Sequence, residues 1–463
     1  MVFICLSDLQ TQHSQCKQIV EFNQKPLDKV KKRLYNSTIL IKVALAIERN
    51  GAIMAEEHEE RQARNGNLRA AMTAKQDEFY TQFEDIQKEI NAYLEYNPDI
   101  FRDKVVLLPC DDPEWSNFTK FFAQNFEMLG LRKLISTSYA PCSKRNAYGD
   151  SSDYYQLTLF ETESPQFDET LTDTHGKIFV LTREDATEGR LDINSLKWRY
   201  LDGDGDFRSE EVTKLRDEAD FIVTNPPFSL FREFFKWIVS GNKKFLIIAN
   251  QNAITYKDIF PLIKSNKVWL GPSIHSGDRE FRVPQSYPLK ASGFRVDENG
   301  CRFIRVKGIR WFTNIEHGRR HLPLSLMTID DNQRFSKHQD IIGKGYPTYI
   351  TFCAIDVPYY DAIPSDYCGI MGVPKSFMDF YCPEQFEIIG YESDKNVGIG
   401  YIPKDFLDLY RKQGGKGHVT CGMRTLCFID DDGKAKFPFS RILIRYTKEW
   451  IKNHPEDFGG DTE

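Results

Sequence analysis

The sequence predicts an α/β protein: a doubly wound sheet flanked by helices, followed by a smaller domain of mixed α+β structure. Three observations lead to this prediction. The chain has 463 residues and 41% apolar content, enough to bury two or three separate cores. Short apolar strands alternate with amphipathic helices across residues 67–275. From residue 276 onward this alternation gives way to turns and short strands, which indicates a second domain.

The elements of the first domain follow one another in a regular order. Residues 1–66 show little pattern and are treated as an N-terminal extension, and helical spacing then surrounds the segment DEFYTQ at residues 77–82. The predicted strands are DKVVLLPC, KLISTSYA, KIFVLT, DFIVT and KFLIIAN. Because ligands of a doubly wound sheet bind beyond the carboxyl ends of its strands, we expect the functional residues there.

Local signals place the helices between these strands. The helix after the first strand is predicted to have Asp112 as its N-cap, Pro113 at its first position and Gly130 as its stop. A further helix is predicted from Ser209 to Glu218, and another directly after the Asn-Pro-Pro-Phe segment at residues 225–228.

The composition argues against several classes of protein. No apolar run reaches the roughly eighteen residues of a membrane span. The sequence has no basic segment at its start, so we expect no cleavable secretory signal. The ten cysteines are scattered without a CxxC or a paired Cys/His spacing, so we expect no metal site and reduced thiols in a cytoplasmic protein. The net charge of −6 argues only weakly against a polyanionic partner, because the distribution of charge matters more than its sum.

The segment after strand DFIVT carries the clearest chemical signal. One reaction that fits this segment is the methylation of an exocyclic amino group such as the N6 of adenine. This nitrogen is a poor nucleophile, because its lone pair is delocalised into the ring. The amide oxygen of Asn225 and the carbonyl oxygen of Pro226 can accept its two hydrogens and localise that lone pair. Pro226 and Pro227 hold the loop rigid, and Phe228 offers a flat face to a base that has left its duplex. The alternative interpretation is that the prolines merely end the strand.

These residues also carry a family resemblance. DFIVTNPPF resembles the catalytic motif of S-adenosylmethionine-dependent amino methyltransferases. DEFYTQ, CDDPEWSNF and the C-terminal IPSDYCGIMGVPKSFMDFYCPEQFEIIG resemble one family among them, the EcoRI-type adenine-specific DNA methyltransferases. The resemblance implies a Rossmann-like methyltransferase domain followed by a target-recognition domain, with S-adenosylmethionine as cofactor. It also implies that Asn225, Pro226 and Phe228 hold a flipped adenine.

The same resemblance implies residues that hold the methionine end of the cofactor. Asp111 or Asp112, at the end of the first strand, would bond its ammonium group, although the usual glycine-rich loop is missing at this position. The DEFYTQ segment would close over the methionine through Phe79, Tyr80 and Thr81. The alternative is a buried aromatic pair with a helix cap at Thr81.

For the adenosine end, the resemblance implies Asp206 and Phe207 of DGDGDF, which would bond and pack the cofactor's adenine. A plain acidic turn is the alternative. A calcium loop is disfavoured, because Phe207 stands at the sixth position in place of glycine and Thr213 at the twelfth in place of glutamate. The strand KLISTSYA has no evident acid for the ribose hydroxyls, and that contact stays unassigned.

A basic stretch in the second domain suggests a DNA-facing surface. Residues 301–321 contain six Lys/Arg and one acid, with three aromatic residues among them. We hypothesise that Arg310, Arg319 and Arg320 contact DNA, and the alternative is a solvated strand face.

These patterns together predict an enzyme that methylates adenine N6 in double-stranded DNA by base flipping, and a monomer suffices for it. A cognate restriction endonuclease would need no stable complex with this chain. The alternatives are an RNA adenine or protein glutamine methyltransferase, or a catalytically silent protein that binds DNA or cofactor.

Overall fold

The structure is a computed structural model that describes residues 81–140, 166–187, 198–273, 279–283 and 294–458. The chain divides into two compact units, residues 1–71 and 72–463, and every described residue belongs to the second unit. Within the described ranges, no helix combines the length and the apolar character needed to cross a membrane.

The strands of the described chain are short, and most are buried. In chain order they are β1 Val105–Leu108, β2 Lys133–Thr137, β3 Lys177–Thr182, β4 Arg199–Tyr200, β5 Phe221–Thr224, β6 Lys244–Asn250, β7 Trp269–Leu270, β8 Arg279–Val283, β9 Phe294–Val296, β10 Arg302–Val306, β11 Ile309–Thr313, β12 Ile355–Asp356, β13 Met371–Pro374, β14 Phe386–Tyr391, β15 Phe428–Ile429, β16 Ala435–Lys436 and β17 Arg441–Tyr446.

An eight-stranded sheet forms the centre of the structure, in the order β4-β3-β2-β1-β5-β6-β11-β7. Its inner strands β2, β1, β5 and β6 are parallel, so their carboxyl ends lie at one edge. Within these strands, alternate residues belong to two different apolar clusters, as the period of two in a strand requires. The prediction of an α/β fold with a parallel central sheet is therefore confirmed for these strands.

The outer parts of the sheet differ from a doubly wound arrangement. Strand β3, the predicted KIFVLT, is antiparallel to β2, with Lys133 opposite Thr182. Strand β11 is antiparallel to β6, with Ile309 opposite Asn250. An antiparallel neighbour needs no helical crossover, and a short apolar run has the same pattern in either direction, so the sequence alone did not reveal the mixed sheet.

The helices of the described chain lie between these strands, and several of them pack on the two apolar clusters of the central sheet. They are α1 Phe83–Tyr96, α2 Asn117–Gln124, α3 Glu169–Thr172, α4 Arg183–Thr187, α5 Glu210–Glu218, α6 Phe231–Ser240, α7 Phe260–Lys264, α8 Ile329–Phe335, α9 Lys404–Lys412 and α10 Lys448–Asn453.

Two of the predicted helices test the capping signals. The Ser209 side chain caps α5 by accepting a hydrogen bond from the Val212 amide, which confirms that prediction. The predicted start of α2 at Asp112 is wrong. The Ser116 hydroxyl caps α2 instead, and the helix begins at Asn117. Asp112 accepts a local bond from the Glu114 amide, a turn that uses the same type of residue as a helix cap.

Three smaller sheets contain the remaining strands: β8-β10-β9, β12-β13-β17-β14 and β15-β16. Met371 of β13 and Ile444 of β17 belong to the same apolar cluster as Ile222 and Ile247 of the central sheet. Residues on both sides of the proposed boundary at 275/276 therefore share one core, and the division into two domains stays a prediction.

Glu89 of α1 is a fully buried acid on the face that packs near β7. Its carboxylate accepts hydrogen bonds from the Tyr93 hydroxyl and the Ser273 amide, each at 2.9 Å. A Cβ at residue 271 would lie 2.0 Å from Glu89 Oε1, so only Gly271 allows this approach. Burial raises the pKa of Glu89 from 4.5 to about 7, although both hydrogen bonds oppose the shift.

We expect Glu89→Gln to remove a pH-dependent loss of stability. Because the folded-state pKa lies above the ordinary value, protonated Glu89 favours the folded state fully below pH 4.5, and that stabilisation is lost as the pH rises through 7. Relative to the variant, the wild-type free energy of unfolding should fall by about 3 kcal/mol between pH 4.5 and 8. Urea denaturation across this range measures the difference.

Glu95→Gln is the matched control, because Glu95 is an exposed position on the same helix. It should follow the wild type at every pH. A constant offset between the Glu89→Gln and wild-type curves would contradict the prediction.

Candidate active site

Three segments singled out in the sequence meet at the carboxyl edge of the central sheet. Asp111 follows β1, and Asn225 directly follows β5, which pairs with β1 in parallel. The DGDGDF loop reaches this edge beside β2, where the Ala140 amide donates to the Asp204 carbonyl at 2.7 Å. Burial raises the pKa of the Cys110 thiol, and the nearby charges of Asp111 and Asp206 raise it further. Asp206 therefore lies near the end of β1. The structure therefore brings the predicted cofactor and catalytic segments together.

Asp111 is the most enclosed acid of this edge, with 6% of its surface exposed. Its carboxylate accepts hydrogen bonds from the Ser116 hydroxyl at 2.7 Å and the Thr224 hydroxyl at 2.6 Å. Burial raises its pKa to about 7, against the opposing effect of these two bonds. Both oxygens are thus occupied by groups of the chain, so Asp111 holds the ends of β1 and β5 together.

Asp112 lies closer to the surface than Asp111. One of its oxygens accepts from the Glu114 amide at 2.9 Å, and the other lies 3.7 Å from the ammonium group of Lys177. Lys177 is buried and bonds more closely to Glu114, at 2.6 Å. Of the two aspartates considered for the cofactor's ammonium group, Asp112 has the more accessible carboxylate.

Thr81 and Gln82 are the described residues of the DEFYTQ segment, and Phe79 and Tyr80 lie outside the described residues. The Thr81 carbonyl accepts from the Asn117 side-chain amide at 2.7 Å, which attaches the segment to the start of α2. Its hydroxyl and that of Thr137, at the end of β2, are buried and have no hydrogen-bond partner within the described ranges. Buried polar groups of this kind fit a bound ligand that carries polar groups.

Two glycines allow close backbone packing beyond the end of β2. A Cβ on Gly205 would lie 2.1 Å from the Ser138 carbonyl oxygen, and one on Gly176 would lie 2.4 Å from the same atom. Gly205 also has a φ of +79°, which favours glycine. The sequence search missed this close packing because the two glycines lie far apart along the chain.

The predicted pair Asp206 and Phe207 consists of a partly buried acid and a ring in the core. Burial alone would raise the pKa of Asp206, but hydrogen bonds from Arg208 outweigh it and the pKa is lowered. The Phe207 ring is 5% exposed and packs edge-on against Phe234 and Trp237, with centroids 5.0 and 5.6 Å away. Asp206 lies at the carboxyl edge of the sheet, whereas the Phe207 ring packs in the apolar core below the loop.

The Asn-Pro-Pro-Phe segment forms the expected short connection. Thr224 is fully buried, Pro227 is extended with φ −59° and ψ 121°, and a 3-10 helix over Phe228–Leu230 leads directly into α6. The helix predicted after this segment is confirmed. Phe228 is half-buried and packs against the apolar cluster beside α1 and α2.

Of the three arginines proposed for DNA contact, two are buried and one is half-buried. The Arg310 guanidinium is 4% exposed and makes a bidentate ion pair with Asp379, at 2.6 and 2.7 Å. Arg320 is 8% exposed, pairs with Glu316 and stacks on Trp269. Both guanidinium groups are held in ion pairs inside the fold, and contact of either residue with DNA stays a prediction. Arg319 is half-buried, with its guanidinium 5.4 Å from the Phe380 ring centroid.

Comparisons with known proteins show what the whole chain is similar to. The model of the family described as adenine-specific methyltransferase EcoRI matches residues 67–447. The chain is 40% identical to the Type II methyltransferase M.EcoRI of Escherichia coli over 342 residues, covering 73% of this chain and 94% of that protein. It is 34% identical to M.MpnI of Mycoplasma pneumoniae over 322 residues, covering 69% and 83%. It is 32% identical to M.MgeORF184P of Mycoplasma genitalium over 322 residues, covering 69% and 84%. No solved structure matches.

The burial of Arg310 predicts a strong dependence of stability on its partner. Asp379→Asn should lower the free energy of unfolding by about 3 kcal/mol, because it leaves a buried guanidinium without its counter-charge. Asp330→Asn is the control, since Asp330 pairs with Arg334 at the surface, where both side chains are more than 60% exposed. The control should cost about 0.5 kcal/mol or less in urea denaturation. Equal effects of the two substitutions would contradict this assignment.

Proposed function

Since this chain belongs to the EcoRI family of adenine-specific methyltransferases and is a DNA methyltransferase, we propose that it transfers a methyl group from S-adenosylmethionine to adenine N6 in double-stranded DNA. The observation that carries the proposal is the position of Asn225–Phe228. This segment leaves the carboxyl end of a central parallel strand and is tied by Thr224 to the loop that follows β1. Ligands bind at this edge in sheets with such a parallel centre.

The chain's own groups supply the activation of the amino nitrogen. The Asn225 amide oxygen and the Pro226 carbonyl accept the two N6 hydrogens, so the lone pair becomes localised on nitrogen as the transition state forms. Phe228 stacks on the flipped base, and the contacts of the complex must offset the unstacking energy of a few kcal/mol. Pro226 and Pro227 keep the two acceptors in place, because their rings restrict the backbone.

The residues around Asp112 fit S-adenosylmethionine. Asp112 would hold the ammonium group, Thr81 would lie at the methionine end with Phe79 and Tyr80, and Asp206 would bond the adenine of the cofactor. The bound cofactor supplies the electrophilic methyl group. The buried hydroxyl of Thr81 supports this arrangement, because it offers a polar contact that the described chain itself leaves unused.

Asp111 is proposed to position the catalytic loop and to leave cofactor binding to Asp112. Its two short bonds join Ser116, at the start of α2, to Thr224, the residue before Asn225. A displacement of about 1 Å can lower the rate a hundredfold, so a fixed Thr224 has direct value for catalysis.

The proposed partner is duplex DNA in the cytoplasm. The relatives are named Type II methyltransferases. A cognate endonuclease that reads the same site would need no stable complex with this chain. A monomer can methylate one strand at a time.

We expect Asn225→Ala to abolish methyl transfer while cofactor binding is retained. Loss of one acceptor of this kind should reduce the rate at least about 100-fold. Unmethylated DNA is treated with enzyme and S-adenosylmethionine, digested, and assayed by mass spectrometry for N6-methyladenine. Asn91→Ala makes the same change at an exposed position of α1 and should match the wild type. If the wild type methylates RNA and does not methylate DNA, RNA replaces DNA as the proposed substrate.

Thr224→Val removes one hydroxyl and keeps the side-chain shape. We expect kcat to fall roughly tenfold or more, because the loop loses its bond to Asp111, while the Kd of S-adenosylmethionine changes less than about twofold. Thr224→Ser restores the hydroxyl and should recover most of kcat. Steady-state kinetics and calorimetric titration measure the two effects. A serine variant as slow as the valine variant would refute the positioning role.

A further inference from the structure

A lysine from the C-terminal half of the chain reaches the catalytic edge. Lys375 begins a 3-10 helix over Lys375–Phe380 that follows β13. Its ammonium group lies 3.4 Å from Asn252 Oδ1 and 3.5 Å from the Thr255 hydroxyl. Both residues belong to the 3-10 helix Gln251–Thr255, which directly follows β6. Lys375 is therefore at the carboxyl end of the strand next to the catalytic strand β5.

The fold holds this helix in place by a buried ion pair. Asp379, one turn beyond Lys375, binds Arg310 of β11, and Arg310 lies opposite Ala249 of β6. The position of Lys375 relative to Asn252 is thus set by the central sheet.

Lys375 lacks a counter-ion among the residues that the structure describes. Its side chain forms no ion pair there, and its two hydrogen bonds are long. Burial lowers the pKa of its ammonium group, with only a weak opposing effect of Glu392. A partly desolvated cation in this state gains from an incoming anion.

A second cation contacts the same loop. Arg232 is an exposed residue in the first turn of α6, just after the Asn-Pro-Pro-Phe segment, and its guanidinium stacks 4.4 Å above the Tyr256 ring. It too forms no ion pair within the described ranges. Tyr256 follows Thr255 directly, so the two cations contact consecutive residues of one loop.

We propose that Lys375, Arg232, Asn252 and Thr255 form a binding site for a phosphodiester of the target strand, next to the flipped adenine. Lys, Arg, Asn and Thr are among the residue types that contact DNA phosphates. The inference rests on the proposed function and adds the place where the strand is held.

The order of the sheet argues for DNA as the source of the anion. Along the edge, the cofactor residues follow β1, Asn225 follows β5, and the Lys375 site follows β6. The catalytic loop therefore separates the proposed cofactor site from the two cations. A phosphate of the target strand would bind on the β6 side of the catalytic loop, whereas the residues proposed for the cofactor lie on the β1 side.

The test measures binding of a duplex that carries a mapped methylation site, by fluorescence anisotropy at several salt concentrations. Lys375→Gln should weaken binding about threefold to tenfold and reduce the slope of log K against log salt by about 0.9. Arg232→Gln should behave in the same way. Lys375→Arg keeps the charge and should stay close to the wild type. Thermal unfolding and S-adenosylmethionine binding should not change in any of the three.

Lys214→Gln is the control, because Lys214 is an exposed lysine of α5 that pairs with Glu210. It should bind the duplex as the wild type does. A set of duplexes with one neutral methylphosphonate beside the target adenine then locates the contact. One such substitution should weaken the wild type, and it should weaken Lys375→Gln less, because that variant keeps only Arg232 as a cation at the site.

Two results would overturn the proposal, and they are distinguishable. If the wild type binds and methylates the duplex and Lys375→Gln matches it in affinity and salt slope, the phosphodiester site is wrong and the proposed function stands. If the wild type neither binds nor methylates the duplex, the proposed function fails and the site fails with it.

Discussion

The two short hydrogen bonds of the buried Asp111 carboxylate are the constraint on which the site depends. They connect the end of β1 with the start of α2 at Ser116, five residues further along, and with the end of β5 at Thr224, 113 residues further along. A buried carboxylate without donors would be costly, so Ser116 and Thr224 cannot move away independently. The ordering of the catalytic loop is thus tied to the ordering of the loop proposed to hold the cofactor.

Those parts of the structure that depend on local chemistry were predictable from the sequence. Pro226 and Pro227 restrict their own backbone, and Ser209 caps its own helix, so the loop after β5 and the start of α5 follow from a few neighbouring residues. The four parallel strands of the sheet centre were recognisable for a similar reason, since each is an apolar run bounded by polar residues.

The parts that depend on distant partners were not predictable. An arginine among aromatic residues in a basic stretch has the same sequence pattern whether it faces DNA or an acid such as Asp379, 69 residues further along. The direction of β3 and the pairing of β11 with β6 also depend on non-local contacts, which composition does not encode. For the candidate site, the proposed division of roles between Asp111 and Asp112 required the position of Thr224, which is 113 residues from Asp111.

The pairing of β11 with β6 explains how the C-terminal half takes part in the site. Once Arg310 is held opposite Ala249, its ion pair with Asp379 brings the helix of Lys375 to the end of β6. The antiparallel strand therefore carries residues from the second half of the chain to the edge where Asn225 lies. A target strand bound there would contact both halves of the chain, and the buried ion pair, which makes no contact with DNA itself, would set the distance between them.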